Sequence, residues 1–442
     1  MKTSETRERV VVTGMGVVCP LGHDVGAMWE GILSGRSGAN RTTIFDASTF
    51  PTTFDAEVKG YDFRKHIRHP ELHEGCSRGS AFVLGATAQA CKQAGIEAET
   101  AQPTDGIDRT RMGIYLGAGE GSLDNESFFG CIIAGWDAEQ QRMVWPRSTR
   151  VAMDRMTAVR ELEQEPNMAA GHTAMLTGAR GPVRSCLTAC AASTQAVGEA
   201  CMIIRRGDAD IMIAGGAHSM IHPLGITGFN LLTALSRRND SPETASRPFS
   251  GSRDGFVIGE GAAILILESL ASARKRGVSI FAEIAGYGCS SDAFRITDMH
   301  EEGRGAVLAM HAALADAGLT TDDIDYVNTH GTSTAENDSI ETLAIKTVFK
   351  DRAHRIPVSS IKSMLGHLIG AAGAAEIIAS VLAIREGVVP PTMNLHDPDP
   401  KLDLDYVPNA PRKMPINTVM KESFGFGGQN NVVILKRFRE ET

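Results

Sequence analysis

The sequence predicts an α/β fold with largely buried sheets, built from one supersecondary plan used twice. Three observations carry this reading. Short runs rich in aliphatic residues alternate with alanine-rich amphipathic stretches. The runs are apolar almost throughout, as in strands covered on both faces. Similar segments then recur in the same order in both halves. In chain order, strands are predicted at 8–14 (ERVVVTG), 111–119 (RMGIYLGAG), 209–216 (ADIMIAGG), 262–269 (AAILILES), 280–288 (IFAEIAGYG), 324–331 (IDYVNTHG) and 430–436 (NNVVILK). A helical stretch at 82–96 ends in Ala-Gly and leads to the strand at 111–119, just as 306–319 leads to 324–331. Downstream, 182–209 runs parallel to 357–387: Pro-Val, a polar strand, a turn, then a helix. The division is an N-terminal half over 1–270 and a C-terminal half over 271–442, with no low-complexity linker. Charge is dense and irregular around Arg142, Arg147, Arg150, Asp154, Arg155 and Arg160. A surface cap inserted at about 120–166 is expected there. In this duplication Cys190 and His367 occupy similar helix-start places, and pseudo-twofold packing would bring them together.

Composition narrows the function. With 42% hydrophobic residues the chain can fill a large core. Its 44 basic and 53 acidic side chains leave a formal charge of −9, which argues against nucleic acid as a partner. Apolar runs such as 262–267 fall well short of the roughly 20 residues a bilayer span needs, and the start MKTSETRER does not read as a secretory signal. Eight cysteines are scattered without a CxxC pair. That pattern suggests neither a disulfide framework nor a zinc cluster, and a reducing cytoplasm is expected.

Few residues combine reactive chemistry with a suggestive setting. Cys190, in LTACAAST, sits between small residues just before a helical run. A helix start supplies positive potential to a thiolate, although a cysteine there also reads as a small buried hydrophobe. His330 ends the strand IDYVNTH and opens the turn GTST; His367 lies in KSMLGHLIGAAGAAE between glycines at a second helix start. Each also reads as a satisfied structural histidine. Neither has the i, i+4 partner of a helical zinc site, so no metal is expected. SFGFGGQN (423–430) lacks the Lys-Ser/Thr of a P-loop, and GAGEGS (117–122) lacks dinucleotide spacing. A glycine turn with bare backbone N–H groups also suits an oxyanion site. No GxSxG elbow is present.

Together, TACAAS, VNTHGTST, KSMLGHLIGAAGAAE and SFGFGGQN resemble the β-ketoacyl-acyl-carrier-protein synthases, most closely the elongating type II class. The resemblance spans nearly the whole chain. It implies a thiolase-like fold, a duplicated five-layered αβαβα sandwich, usually a homodimer. It implies decarboxylative Claisen condensation of malonyl carrier with an acyl group held on Cys190, in fatty-acid or polyketide synthesis. No cofactor is implied, because substrates ride on the phosphopantetheine arm of an acyl carrier protein. In this reading His330 and His367 donate to the malonyl thioester oxygen, and the backbone N–H groups of Cys190 and Phe426 hold the later oxyanion. Lys362 supports the histidines, and Asp338, Glu341 and Glu376 hold Lys362 in place, with Thr332 and Thr334 nearby. Phe426 is also a gate, and Phe229 lines the acyl tunnel.

The chain departs from the family at several places. HPELHEGCSRG (69–79) puts Glu71 and Glu74 where relatives carry basic carrier-docking residues, so docking is expected on Arg147, Arg150, Arg237 and Arg238 instead. Glu120 replaces an apolar wall residue of the acyl pocket; a buried carboxylate there disfavours a long alkyl tail. Ala335, Asn337, Glu422 and Gln429 also differ from the usual residues. The rival readings are weaker. A degradative thiolase needs a second cysteine near its C-terminus, whereas the last here is Cys289. An initiating synthase carries Cys-His-Asn. A non-catalytic chain-length-factor-like subunit of a heterodimer lacks the nucleophile.

Overall fold

A computed structural model describes residues 7–120 and 124–440. The strands of its ten-stranded sheet are β1 (Val10–Val18), β2 (Met112–Gly117), β3 (Val183–Cys186), β4 (Ile211–His218), β5 (Gly261–Ser269), β6 (Ala282–Ser291), β7 (Tyr326–Asn328), β8 (Val358–Ser359), β9 (Thr418–Gly425) and β10 (Gln429–Lys436). The principal helices are α1 (Arg78–Gln93), α2 (Ala192–Arg205), α3 (Arg304–Ala317), α4 (Ala335–Phe349) and α5 (Ala372–Glu386). The strands follow the order β8-β7-β9-β10-β6-β1-β5-β4-β2-β3. The first five strands stand as 3-2-4-5-1, and the second five repeat that order. In each set the fifth strand runs antiparallel to both neighbours, and the second runs parallel to both of its own.

β1 and β6 touch only over Val10–Val12 and Ala282–Ile284. Beyond that seam α2 and α5 lie between the two halves of the sheet, α2 against β4 and β10, α5 against β5 and β9. Outside, α1 covers β1 and β5, while α3 covers β6 and β10 with α4 beside it. These are the five layers of the thiolase-like sandwich. α5 is buried on every side from Ala372 to Ile384, which explains why its sequence is apolar all round.

Two details show how the sequence encodes this packing twice. β1 and β6 each slip register, between Val12 and Gly14 and between Ile284 and Gly286, and each then carries Gly-x-Gly. A Cβ on Gly14 or Gly16 would stand 2.3 or 1.9 Å from the carbonyl oxygens of Ala90 and Ala86. On Gly286 or Gly288 it would stand 2.4 or 2.2 Å from those of Ala313 and Ala309. Bare backbone therefore lets α1 and α3 lie directly on their strands. The helix starts repeat as well. Ala189 (φ 49°) and Ile369 (φ 47°) both adopt left-handed backbone, and each opens a 3-10 turn that runs into α2 or α5. The position equivalent to Cys190 is thus Gly370, and His367 lies three residues earlier, a correction to the expected equivalence of Cys190 with His367.

Every predicted run contains a strand, and β3 and β8 are the short polar strands of the repeat. β9 differs: SFGFGGQN was expected as a turn, but its first three residues end a buried strand, and only Phe426–Gly428 turn. The segment after residue 123 forms helices Asn125–Gly135, Trp145–Arg155 and Ala158–Leu162 with a small hairpin. It exposes Ile133, Trp145, Met153 and Leu162. Among the described residues no helix is long and apolar enough to cross a membrane.

Candidate active site

Three ends of secondary structure converge on one point. Cys190 comes from the turn before α2, His330 from the turn after β7, and His367 from the turn before α5. The Sγ and ring-nitrogen atoms of these side chains lie within 4.8 Å of one another. The imidazole rings meet edge to face, 5.3 Å between centroids. The duplicated fold therefore does bring Cys190 and His367 together. The group opens on a cavity of about 290 Å³ whose lining includes Thr332, Thr334, Phe256, Phe424 and Phe426.

The acids of α4 fix the His330 turn. Glu341 accepts the backbone N–H groups of His330 (2.5 Å) and Gly331 (2.7 Å). Asp338 accepts those of Phe249 (2.8 Å) and Ser333 (3.2 Å). Thr334 caps α4, and its hydroxyl meets that of Thr332 at 2.9 Å. Of the three acids expected to hold Lys362, only Glu376 does so. Asp338 and Glu341 grip backbone instead, because they sit in the first two turns of α4 beside the loop they stabilise.

Lys362 is 1% exposed. Its ammonium donates to the His330 carbonyl (2.6 Å), approaches His330 Nδ1 at 3.3 Å and pairs with Glu376. The N–H of Ile369 donates to His367 Nδ1 at 3.2 Å. In both rings Nδ1 is therefore the acceptor, which leaves the proton on Nε2. His367 Nε2 is buried with no hydrogen-bond partner among the described residues. Both Nε2–H groups are thus available to a ligand in the cavity. The same Cys-His-His atoms are close enough to hold a soft cation, but an Nε2 that carries its proton donates rather than ligates.

Burial governs the charges. It drives both imidazoles well below their ordinary pKa, helped by Lys362, so both rings are neutral at pH 7. Burial also pushes the Cys190 thiol up to about 12, against the opposing pull of Lys362. The helix-start potential expected to favour a thiolate is outweighed, and the resting nucleophile is a thiol. Gly425 lies against it: a Cβ there would sit 2.8 Å from Thr188 O and 3.2 Å from Cys190 N.

The remaining residues fall in different places. Phe229 joins the apolar cluster around Cys190 and stacks edge-on to Phe256 at 5.5 Å. Glu120 leaves the expected pocket wall. Its side chain is 75% exposed, in a separate recess beside His218 Nε2 at 3.8 Å, and His218 holds its carboxyl down at about 2. The His218 ring packs directly on the backbone before Glu120, where a Cβ on Gly119 would meet His218 Nε2 at 1.9 Å. Arg147, Arg150 and Arg237 are exposed, and Arg238 is half-buried. Sequence reasoning missed Lys421, which is wholly buried and pairs with the second oxygen of Glu376 at 2.8 Å. It also missed the burial of Glu422. A charged Lys-Glu pair reads as solvent-facing, and only its place just before SFGFGG could have signalled otherwise.

A buried thiol facing two imidazole N–H donors on a duplicated αβαβα frame defines a thiolase-like acyl-transfer centre. Residues 7–273 match the family model of the β-ketoacyl synthase N-terminal domain, and residues 281–396 match that of its C-terminal domain. The chain belongs to the β-ketoacyl synthase family. It is 42% identical over 439 residues to the 3-oxoacyl-[acyl-carrier-protein] synthase 2 of Coxiella burnetii, covering 98% of this chain and 99% of the relative. The enzyme of the same name in Synechocystis is 40% identical over 433 residues, with the same coverage. Among solved structures, a ketosynthase in complex with its type II polyketide acyl-carrier protein superposes with a TM-score of 0.85 at 34% identity. The ishigamide ketosynthase/chain length factor does so with a TM-score of 0.85 at 33% identity. Each covers 98% of this chain and 100% of the other.

Proposed function

We propose that the protein is a β-ketoacyl-acyl-carrier-protein synthase that elongates an acyl chain in fatty-acid or polyketide synthesis. The observation that carries this is the pair of Nε2–H donors converging on Cys190. Cys190 Sγ attacks the carrier thioester; the new S–C bond forms as the carrier thiol leaves with the cysteine's proton. Malonyl carrier then loses CO₂, and the electron pair of the broken C–C bond becomes an enolate whose oxygen accepts from His330 and His367. Neutral imidazoles suit this step because they donate without having to lose a proton. The enolate carbon attacks acyl-Cys190. The tetrahedral oxyanion faces the backbone N–H groups of Cys190 and Phe426, and its collapse releases β-ketoacyl carrier and the cysteine thiolate, which takes a proton from solvent. Lys362 holds His330, and Phe426, flanked by Gly425 and Gly427, is the movable residue at the cavity wall.

The partner is an acyl carrier protein, consistent with the carrier complex among the structural neighbours. Arg147, Arg150, Arg237 and Arg238 form its docking charge, since Glu71 and Glu74 are exposed and repel an acidic carrier. A homodimer is supported by β3, one of the two edge strands of the sheet, with Val183 and Leu187 exposed beside it. The cytoplasmic setting fits eight free cysteines. A non-catalytic partner-subunit role is disfavoured by the complete Cys190, His330 and His367 set.

The test is intact-protein mass spectrometry with a panel of acyl-carrier thioesters followed by malonyl carrier. Acylation that is abolished by Cys190→Ala, followed by β-ketoacyl release, supports condensation. Decarboxylation without loading would point to a missing starter or partner subunit, and neither activity would overturn the proposal.

A further inference from the structure

The condensing site holds a second buried lysine that the mechanism above does not use. Lys421 lies mid-way along β9 with no exposed surface. Its ammonium donates to Ser423 Oγ at 2.8 Å and to the carbonyl of Glu422, and forms an ion pair with Glu376 Oε2 at 2.8 Å. Lys362 donates to the other oxygen of Glu376, to the carbonyl of His330 and to His330 Nδ1. One carboxylate is thus shared between two cations, and both cations act on both rings. The Ser423 hydroxyl also meets Thr194 Oγ1 at 2.8 Å on α2. Lys421 thus links β9, α5 and the helix that starts at Cys190.

The next residue extends the arrangement. The Glu422 carboxylate oxygens are buried with no donor among the described residues, and Glu422 neighbours Glu341, which grips the His330 turn. Burial and the Glu341 charge push Glu422 well above its ordinary value. It is therefore the protonated partner of this pair and adds no charge to the site.

We propose that Lys421 is a positioning residue of the condensing reaction, which through its shared hold on Glu376 fixes Lys362 and adds a second positive charge behind the two histidine donors. The proposal rests on the condensing function argued above. It has two consequences. Positive charge near the cavity favours a developing enolate over the neutral thioester. It also opposes protonation of the rings. A proton on Nδ1 would face Lys362 Nζ in His330 and the Ile369 N–H in His367, so each ring would lose its anchor. The groups facing the two rings are Lys362 and Cys190 from their turns, Lys421 from β9, Glu376 from α5, Glu341 and Asp338 from α4, and His218 from the end of β4. Of these, Lys362, Lys421 and the neighbouring imidazoles push the ring values down beyond the effect of burial.

The experiment measures two rates on the full-length protein, across pH 5 to 8: acylation of Cys190 by an acyl-carrier thioester, and decarboxylation of malonyl carrier. Wild type must show both, which tests the function independently. Lys421→Met is then expected to lower decarboxylation about tenfold at pH 8, and to move the acid limb of its profile to higher pH, while Cys190 acylation changes less than threefold. Lys421→Gln, which keeps a donor towards Glu376 and no charge, is read in the same way should the Met variant not fold. An unshifted acid limb, or decarboxylation and acylation falling together at every pH, overturns the proposal and leaves Lys421 a packing residue.

Discussion

Replacing Gly425 by alanine puts a methyl group where the Cys190 turn now lies. The added Cβ stands 2.8 Å from Thr188 O and 3.2 Å from the backbone nitrogens of Cys190 and Ala191. The first contact is about 0.5 Å inside an unstrained approach. No flexible side chain can absorb it, because all three neighbours are backbone. Either β9 or the turn before α2 must give way, and both carry parts of the site. Overpacking of this kind costs about 1–3 kcal/mol. Since a 1 Å misplacement of reacting groups costs about a hundredfold in rate, a shift of half that size is expected to slow Cys190 acylation about tenfold. Gly427→Ala is the matched control. Its Cβ meets nothing closer than 4.0 Å, but its φ of +82° disfavours any side chain. That change should therefore cost about 1–2 kcal/mol of stability through backbone strain, with a smaller effect on acylation. The assay is time-resolved intact mass of acylated Cys190, with urea unfolding in parallel. Acylation at the wild-type rate in Gly425→Ala, or an equal loss in both variants, would show that close packing on the Cys190 turn is not what Gly425 provides.

Three further outcomes are expected. His330→Ala and His367→Ala should each reduce malonyl decarboxylation by about 10²–10³, as loss of one oxyanion donor does, measured as CO₂ release. Glu376→Gln leaves Lys362 and Lys421 without a carboxylate and should cost about 3–5 kcal/mol in urea unfolding, more than Lys421→Met, which leaves Lys362 and Glu376 paired. Stability should also depend on pH, with the histidines and Glu422 acting in opposite senses. The histidines are held well below 6.5, so beneath pH 6.5 the unfolded chain binds protons the folded chain does not, and stability drops with falling pH. Glu422 has the opposite sign: its folded value lies well above 4.5, so its contribution is lost as pH rises from about 4.5 through the folded value, and Glu422→Gln should remove that slope in thermal unfolding scans.

The sequence was readable where its pattern depends on burial alone. β5, with nothing but apolar residues from Ala262 to Leu267, and the all-buried α5 announce themselves. Cys190, His330 and His367 were legible because each sits among small residues at the end of an element. β9 was hidden by its own chemistry: Lys421 and Glu422 are adjacent, so one charge faces each side of the strand, and only the tertiary structure supplies Glu376 and Glu341 as neighbours. The error at Glu120 has the same origin. Whether a carboxylate is buried depends on where the tertiary structure directs it, and here Glu120 turns to a recess beside His218. The roles of Asp338 and Glu341 turned on the loop backbone beside α4, and a one-dimensional reading does not show which backbone N–H groups a carboxylate will meet.

The repeated helix start explains why a duplicated frame yields an asymmetric site. In each half a residue at positive φ, Ala189 or Ile369, turns the chain so that the next residue lies at the head of a buried helix. Backbone strain of this kind persists only where the surroundings enforce it. In the first half that next residue is Cys190; in the second it is Gly370. A Cβ on Gly370 would stand 3.2 Å from the carbonyl carbon of Ala118, so a side chain at this position of the second half is crowded. The position three residues before diverges in the reverse sense. In the second half it is His367, with Nδ1 held by the N–H of Ile369. In the first it is Leu187, which is 53% exposed and offers an apolar surface beside the edge strand β3. One turn geometry thus presents the thiol in one half and the imidazole donor in the other, and the pseudo-twofold arrangement that pairs α2 with α5 brings the two within reach of a single thioester.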